Sequence, residues 1–510
     1  MGCCGLRRWL QGAGCVGGGG GGADPVFVVT ALANLAAGYN LAVAGHVLFL
    51  IEAAGHTVAS ESETSGVASA AFIGAVTGQL VMGYTGERIG VVRGLVITFL
   101  VLILGCMLGA FACWAPLLLE KLAATRFVVG FGAGGVYPLA AIASAGSGGQ
   151  GPNEPAFNGR RVILTFSFQG VGQLCAPLWV LVLDWMFSES PEVAWRVAVL
   201  SGAIPAAFGV GHSLRLLRHL EVDERHGIAR VGLSAMDEEE RDMRLAVDVD
   251  SQAETTTTQH QPPSFRERWT RDNLVKLVGT GGTWFLFDVM FYGNIVFTPF
   301  VIELVFGDDA RKVAGLSTVV GAIAVPALVL ASCFSDRMGR KRMQLLGFSM
   351  LALLFSILAI VLHVDGSQHP GLVFTLYCAT FFFYNFGPNA TTFCLPAETF
   401  DAPVRSFFNG VSAAMGKMGA IVGAALFKGL LDSTSLGAVM GCSAGISLLS
   451  LAVTQVFVRG SRHRKHQHQQ LRTNSTPVTE VELATVPGHQ NGDVYHQIGA
   501  SASDDQVANI

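Results

Sequence analysis

An indole, a carboxylate and a phenol recur every fourth residue in "TWFLFDVMFYGN", Thr283 to Asn294. On an α-helix, Trp284, Asp288 and Tyr292 share one face, each a turn above the last. That face offers an N–H donor, an acceptor-only carboxylate and a hydroxyl that can do either. The residues between, Phe285, Leu286, Phe287, Val289, Met290 and Phe291, are apolar. A charge set in such a run is costly without a partner, so the stripe must face protein or a wet cavity. No nucleophile–base arrangement, metal-ligand spacing or phosphate loop accompanies it. The ten cysteines are scattered, with only Cys3 and Cys4 adjacent, which gives neither a disulfide framework nor a zinc site. The chemistry expected is recognition and passage of a solute, not catalysis, with no cofactor.

The elements that must hold the stripe are set by composition. The 510 residues are 51% hydrophobic and 14% charged, with a mean hydropathy of +0.48. A soluble chain carries about 25% charged residues, so the bilayer is the better solvent for this one. Apolar runs of spanning length, about 20 residues each, lie near 26–52, 66–86, 92–113, 115–145, 161–188, 193–213, 273–304, 312–334, 343–364, 369–395, 405–431 and 434–457. The expected organisation is a flexible lead, 1–25, a six-helix bundle, 26–213, and a polar linker, 214–272. A second six-helix bundle, 273–458, and a disordered tail, 459–510, follow. The linker holds "DEEERDMR", a run of four threonines and "HQPPS"; that composition cannot bury a core and reads as largely flexible, with room for a short surface helix.

Arg88 and Arg93, Arg160 and Arg161, Arg337 to Arg342, and Arg459 to Lys465 all fall on one side if the spans alternate. A Lys/Arg excess marks the cytoplasmic side. Both termini and the linker are therefore expected there, in a multi-pass protein of the plasma membrane rather than an organelle membrane.

The halves echo each other. "GYTGERIG" follows the second span and "CFSDRMGRKR" the eighth. Each places acid–Arg–x–Gly in a tight turn, Glu87-Arg88 and Asp336-Arg337, roughly 250 residues apart, as two related six-helix halves would. These turns resemble the signature loop of the major facilitator superfamily. The resemblance implies an all-α membrane protein of twelve transmembrane helices in two six-helix bundles.

Longer stretches resemble the phosphate:proton symporter branch of that superfamily: the opening stretch its seventh helix, "FFFYNFGPNATTFCLPAETF" its tenth, "VRSFFNGVSAAMGKMGAIVGA" its eleventh and "GFGAGGVYPLAAIASA" its fourth. The resemblance implies a phosphate site of Tyr137, Gln169, Trp284, Asp288, Tyr292, Asn389 and Lys417. These supply indole, phenol, amide and ammonium donors for an oxyanion. Lys417 and Asp288 are expected to pair across the cavity, since intramembrane ions normally pair and mark a pathway. Inorganic phosphate and protons are the expected substrates, with no nucleic-acid partner. The alternatives are a carrier of another solute, an organic anion or sugar, and a phosphate-sensing receptor that does not transport.

The N-terminal half departs from the family pattern. Ala37, Asn40 and Val136 stand where acids are usual, and Gly146 where another closes the fourth-helix motif. Either Asp288 then carries proton coupling, alone or with His46 of the first span as the candidate substitute, or another ion drives uptake, or the protein is a facilitator. "GFGAGG" formally fits a dinucleotide loop, but it lies inside an apolar span, where small residues serve close helix packing. The signature acids and arginines are expected to form a gate with "PAETF" and Arg405, in which Glu398 pairs with Arg337 or Arg405.

Overall fold

The computed structural model describes residues 23–56, 61–111, 117–146, 157–242, 264–296, 298–307, 310–364 and 369–459. The lead up to residue 22, the linker stretch 243–263 and the tail from 460 lie outside the described residues.

The first half comprises α1 (Pro25–Ala53), α2 (Glu61–Ile89), α3 (Val91–Phe111), α4 (Leu118–Ala145), α5 (Gly159–Met186) and a sixth rod of α6 (Pro191–Ser201) and α7 (Ala203–Asp242). The short α8 (Phe265–Arg268) precedes the second half. There α9 (Arg271–Leu277) runs through a π-helical turn, Val278–Gly282, into α10 (Thr283–Val296), with α11 (Thr298–Phe306) beyond it. The eighth rod is α12 (Ala310–Ala322) with α13 (Ala324–Met338), and the ninth is α14 (Arg340–Val364). The tenth is α15 (Pro370–Tyr384), a second π turn, Asn385–Asn389, and α16 (Ala390–Thr399). The last two rods are α17 (Arg405–Ser433) and α18 (Leu436–Phe457). Among the described residues the fold is thus twelve helical rods in two sets of six.

The helices are sited by local chemistry. Asp24 opens α1 by accepting from Val26 N at 2.8 Å and Phe27 N at 3.0 Å, with Pro25 at the first position, where its missing N–H costs nothing. The signature turns are held by matching glycines: Gly90 (φ +88°) ends α2 and Gly339 (φ +79°) ends α13. Both sit in the left-handed region that a side chain disfavours. The internal repeat is therefore a repeated backbone geometry as well as a repeated sequence.

The bilayer shows in the side chains. On α3, Leu95, Phe99, Leu102 and Cys106 are buried, while Leu100, Leu104, Met107 and Phe111 are exposed. A helix apolar on every face belongs in protein on one side and lipid on the other. Among the described residues, ten rods are individually long and apolar enough to cross a membrane. The other two are α2, which begins Glu-Ser-Glu-Thr-Ser, and the tenth rod, interrupted by Asn385 and Asn389.

One boundary is corrected. The sixth rod does not stop at 213 but continues as α7 to Asp242, inside the segment expected to be a loop. The stretch from Leu214 to Glu224 is rich in Leu, Arg and Glu, which sustain a helix with little burial. Arg93 and Glu221, both exposed and 3.9 Å apart, tie it to α3.

The halves meet where α2 packs on α17 and α5 on α13. A buried aromatic and aliphatic core runs across this seam, with Phe166 of α5 stacked on Phe393 of α16 at 4.2 Å.

Candidate functional site

Lys417 reaches Asp288 because glycines let α17 lie directly on α10. A Cβ at Gly419 would sit 2.2 Å from the Phe285 carbonyl oxygen, and one at Gly423 2.1 Å from that of Val289. One at Gly416 would lie 2.6 Å from the Trp284 indole. Gly419→Ala is therefore expected to force the helices apart, costing about 1–3 kcal/mol and moving the Lys417 ammonium off the stripe. Gly441→Ala on α18, where an added Cβ meets nothing within 4 Å, is the control. Melting temperature and solute uptake should both fall for the first and neither for the second.

With the helices this close, the Lys417 ammonium donates to the Tyr292 hydroxyl at 2.7 Å and lies 3.6 Å from Asp288 Oδ2. Both ionic side chains are almost wholly buried, 3% and 2% exposed. The ammonium also stands 4.4 Å from the Tyr292 ring centre and 5.2 Å from that of Tyr137, close enough for the ring quadrupoles to stabilise it.

The opposing wall comes from the first half. Tyr137, on α4 just before Pro138, packs edge-on to Phe393 at 6.1 Å. Gln169 lies on α5 one turn from Phe166. In the second half, the π turn widens the tenth rod so that Asn389 stands on the cavity side. Its Nδ2 donates to Asn385 Oδ1 at 2.8 Å, and Asn385 Nδ2 donates to the Phe381 carbonyl at 2.8 Å. π turns are frequent at functional sites because they re-aim side chains within a helix.

All seven residues expected to form the site, Tyr137, Gln169, Trp284, Asp288, Tyr292, Asn389 and Lys417, line one small cavity between the halves, together with Phe166 and Phe291. The space among them is that of about one water molecule, so a tetrahedral oxyanion requires these side chains to part. Tyr137 Oη, Gln169 Oε1 and Asp288 Oδ2 are buried there without a close hydrogen bond, Asp288 Oδ2 having only the 3.6 Å ion pair with Lys417. Buried polar atoms are normally bonded, so this donor and these acceptors retain capacity for a guest.

The remaining candidates lie elsewhere. His46 is exposed on α1 and does not line the cavity. Ala37 and Val136 are buried in the apolar core of the first half. Asn40 is engaged in packing: its Nδ2 donates to the Ala36 and Gly202 carbonyls at 2.9 and 3.0 Å, and its Oδ1 accepts from Cys106 Sγ at 3.1 Å. The "GFGAGG" glycines serve close approach, since a Cβ at Gly130 or Gly134 would fall 2.1 or 2.2 Å from the carbonyl oxygens of Ala71 and Ala75 on α2.

The signature acids join the halves at one end. Asp336 lies 3.3 Å from Arg160 of α5 and 3.4 Å from Arg340. Glu87 caps the start of α17 by accepting from Phe407 N at 2.8 Å and is ion-paired with Arg268. Glu398 pairs with Arg340 at 3.4 Å, a partner that was not among those expected for it. The turn at Gly339 leaves Arg337 exposed on the last turn of α13 and starts α14 with Arg340 half-buried. Arg405 Nε bonds its own turn at the Phe400 carbonyl, 3.0 Å away, and Arg88 stacks over Tyr84, 4.6 Å from the ring centre. Arg160, Arg268 and Arg340 were not foreseen as gate residues; in sequence they stand among other arginines with nothing to single them out.

A family model described as "Sugar (and other) transporter" matches residues 26–471. The "Low affinity inorganic phosphate transporter 4" of Lotus japonicus is 31% identical over 391 residues, 70% of this chain and 72% of that one. The "Probable inorganic phosphate transporter 1-6" of Arabidopsis thaliana is 29% identical over 429 residues, 77% of this chain and 81% of that one. Among solved structures, the proton:xylose symporter XylE bound to 6-bromo-6-deoxy-D-glucose superposes with a TM-score of 0.65 at 17% identity, over 86% of this chain and 96% of that one. At that identity the likeness is one of fold.

Proposed function

We propose, because the chain belongs to the sugar (and other) transporter family of the major facilitator superfamily, that it carries inorganic phosphate across a membrane by alternating access, coupled to protons. One observation carries the reading: the seven polar residues meet in a single cavity around a buried ammonium. In this reading the two halves rock about that cavity.

Lys417 supplies the counter-charge for the anion, and Tyr137, Tyr292, Trp284 and Asn389 supply neutral donors. Arriving phosphate competes with Asp288 for Lys417. Protonation of Asp288 removes the repulsion between carboxylate and anion, which ties proton uptake to phosphate uptake. In this reading the signature turns and both termini face the cytoplasm of a plasma-membrane protein. Glu87 and Asp336 then hold the cytoplasmic end shut while the site faces outward. A neutral sugar has no use for the buried ammonium, so an anion is the better guest.

The test is radiolabelled phosphate uptake into proteoliposomes, with external pH held fixed and internal pH varied. Uptake that accelerates as the interior is made alkaline is expected. Uptake indifferent to the gradient removes the proton from the proposal. No uptake by a folded preparation overturns the substrate.

A further inference from the structure

We propose that Arg268, which lies outside both six-helix sets, is a positioning residue of the gate: it pins the signature acid Glu87 and holds this end of the transporter closed. The inference rests on the alternating-access reading but not on the identity of the solute.

Across Ser264–Trp269, Arg268 alone is buried; its five companions are exposed. Its guanidinium is 1% exposed and its partner Glu87 5%. The same guanidinium lies 5.2 Å from the ring centre of Tyr84, on α2, and 5.1 Å from that of Phe407, on α17. It is therefore wedged at the seam between the halves. The segment around it is fastened to the second half. Trp269 packs edge-on to Phe408 at 5.4 Å and Phe407 at 5.8 Å, and Asn273 Nδ2 donates to the Arg268 carbonyl at 2.9 Å. Glu87 belongs to the first half. The ion pair thus crosses the seam beside the cap that Glu87 provides to Phe407 N.

This end cannot open while α2 and α17 remain in contact. Gly410 is seated against the Gln79 carbonyl oxygen, where a Cβ would lie 2.3 Å away. Parting the two helices breaks the Glu87 cap and hydrates both charges. A buried pair of this kind is poor as a pure stabiliser, because desolvation offsets most of the attraction. Removing one partner, however, strands the other charge in a dry seam, and only in the closed state. Loss of either charge should therefore favour opening.

Cys394 on α16 reports this. It is fully buried, with its Sγ 4.0 Å from the Gly159 carbonyl across the seam at this end. In a variant with Cys394 as sole cysteine and no phosphate present, labelling by a membrane-impermeant maleimide should be slow. Arg268→Ala and Glu87→Gln should each accelerate it at least about tenfold, with Arg268→Lys in between. Combining Arg268→Ala with Glu87→Gln should be no faster than the quicker single variant, because each removes the same contact. Unchanged labelling in both single variants overturns the proposal. So does a combined variant whose rate multiplies the two effects, or acceleration that only follows loss of cooperative melting. Because labelling reads the gate without any solute, failure of phosphate uptake leaves this result intact.

Discussion

Lys417→Ala is expected to abolish phosphate binding. Among the described residues that line the cavity, Lys417 is the only cation. Its ammonium is almost wholly buried, bonded to Tyr292 at 2.7 Å and 3.6 Å from Asp288. Truncation removes the only charge that compensates an incoming anion and leaves the Asp288 carboxylate facing it. Truncating one partner of a buried, hydrogen-bonded charge contact to a bound partner costs about 2–5 kcal/mol, equivalent to a loss of roughly 30-fold to several thousandfold in affinity. Lys417→Arg should rescue little. The guanidinium is a planar fork with a different reach, and the cavity spares room for about one water molecule. Equilibrium binding of radiolabelled phosphate to the purified variant is the measurement. Affinity within about threefold of the parent would remove Lys417, and with it the anion site, from the proposal.

The stripe of Trp284, Asp288 and Tyr292 was legible because helical spacing and the cost of a charge in an apolar run are both local properties. The need for a partner pointed to Lys417, yet the shorter contact of that ammonium is with Tyr292, a choice set by how far glycines let α17 sink onto α10. Phe166 and Phe291 could not be picked out, since an aromatic residue in a span looks the same in sequence whether it lines a cavity or faces lipid. Asn385 was hidden for another reason: without the π turn, nothing says that it orients Asn389. The gate was legible as a place, but Arg340 as the partner of both Asp336 and Glu398 was not. Its acids are marked by the repeated turn, but the choice among neighbouring arginines depends on where Gly339 redirects the chain. Arg268 was least visible, lying inside a linker whose composition predicts exposure.

The two halves divide the work unequally. Where the family pattern puts acids, the first half places Asn40 in a hydrogen-bonded junction of α1, α3 and the break at Gly202, and Ala37 and Val136 in apolar packing. None of these side chains titrates. The first half contributes Tyr137 and Gln169 to the cavity wall, while both charges of the site come from α10 and α17. Coupling by a carboxylate within the cavity must then run through Asp288.

Asp288→Asn should therefore separate phosphate movement from the proton while leaving the site folded. The amide keeps an oxygen for Lys417 to bond, and Tyr292 still accepts from the ammonium, so the helix contact survives. What disappears is a group that can take up a proton as the anion arrives. In proteoliposomes at fixed external pH, an alkaline interior should accelerate uptake by the parent and not by the variant; fixing the external pH keeps the protonation state of the supplied phosphate constant. Acceleration that persists in the variant would move coupling elsewhere, with His46 the next residue to replace.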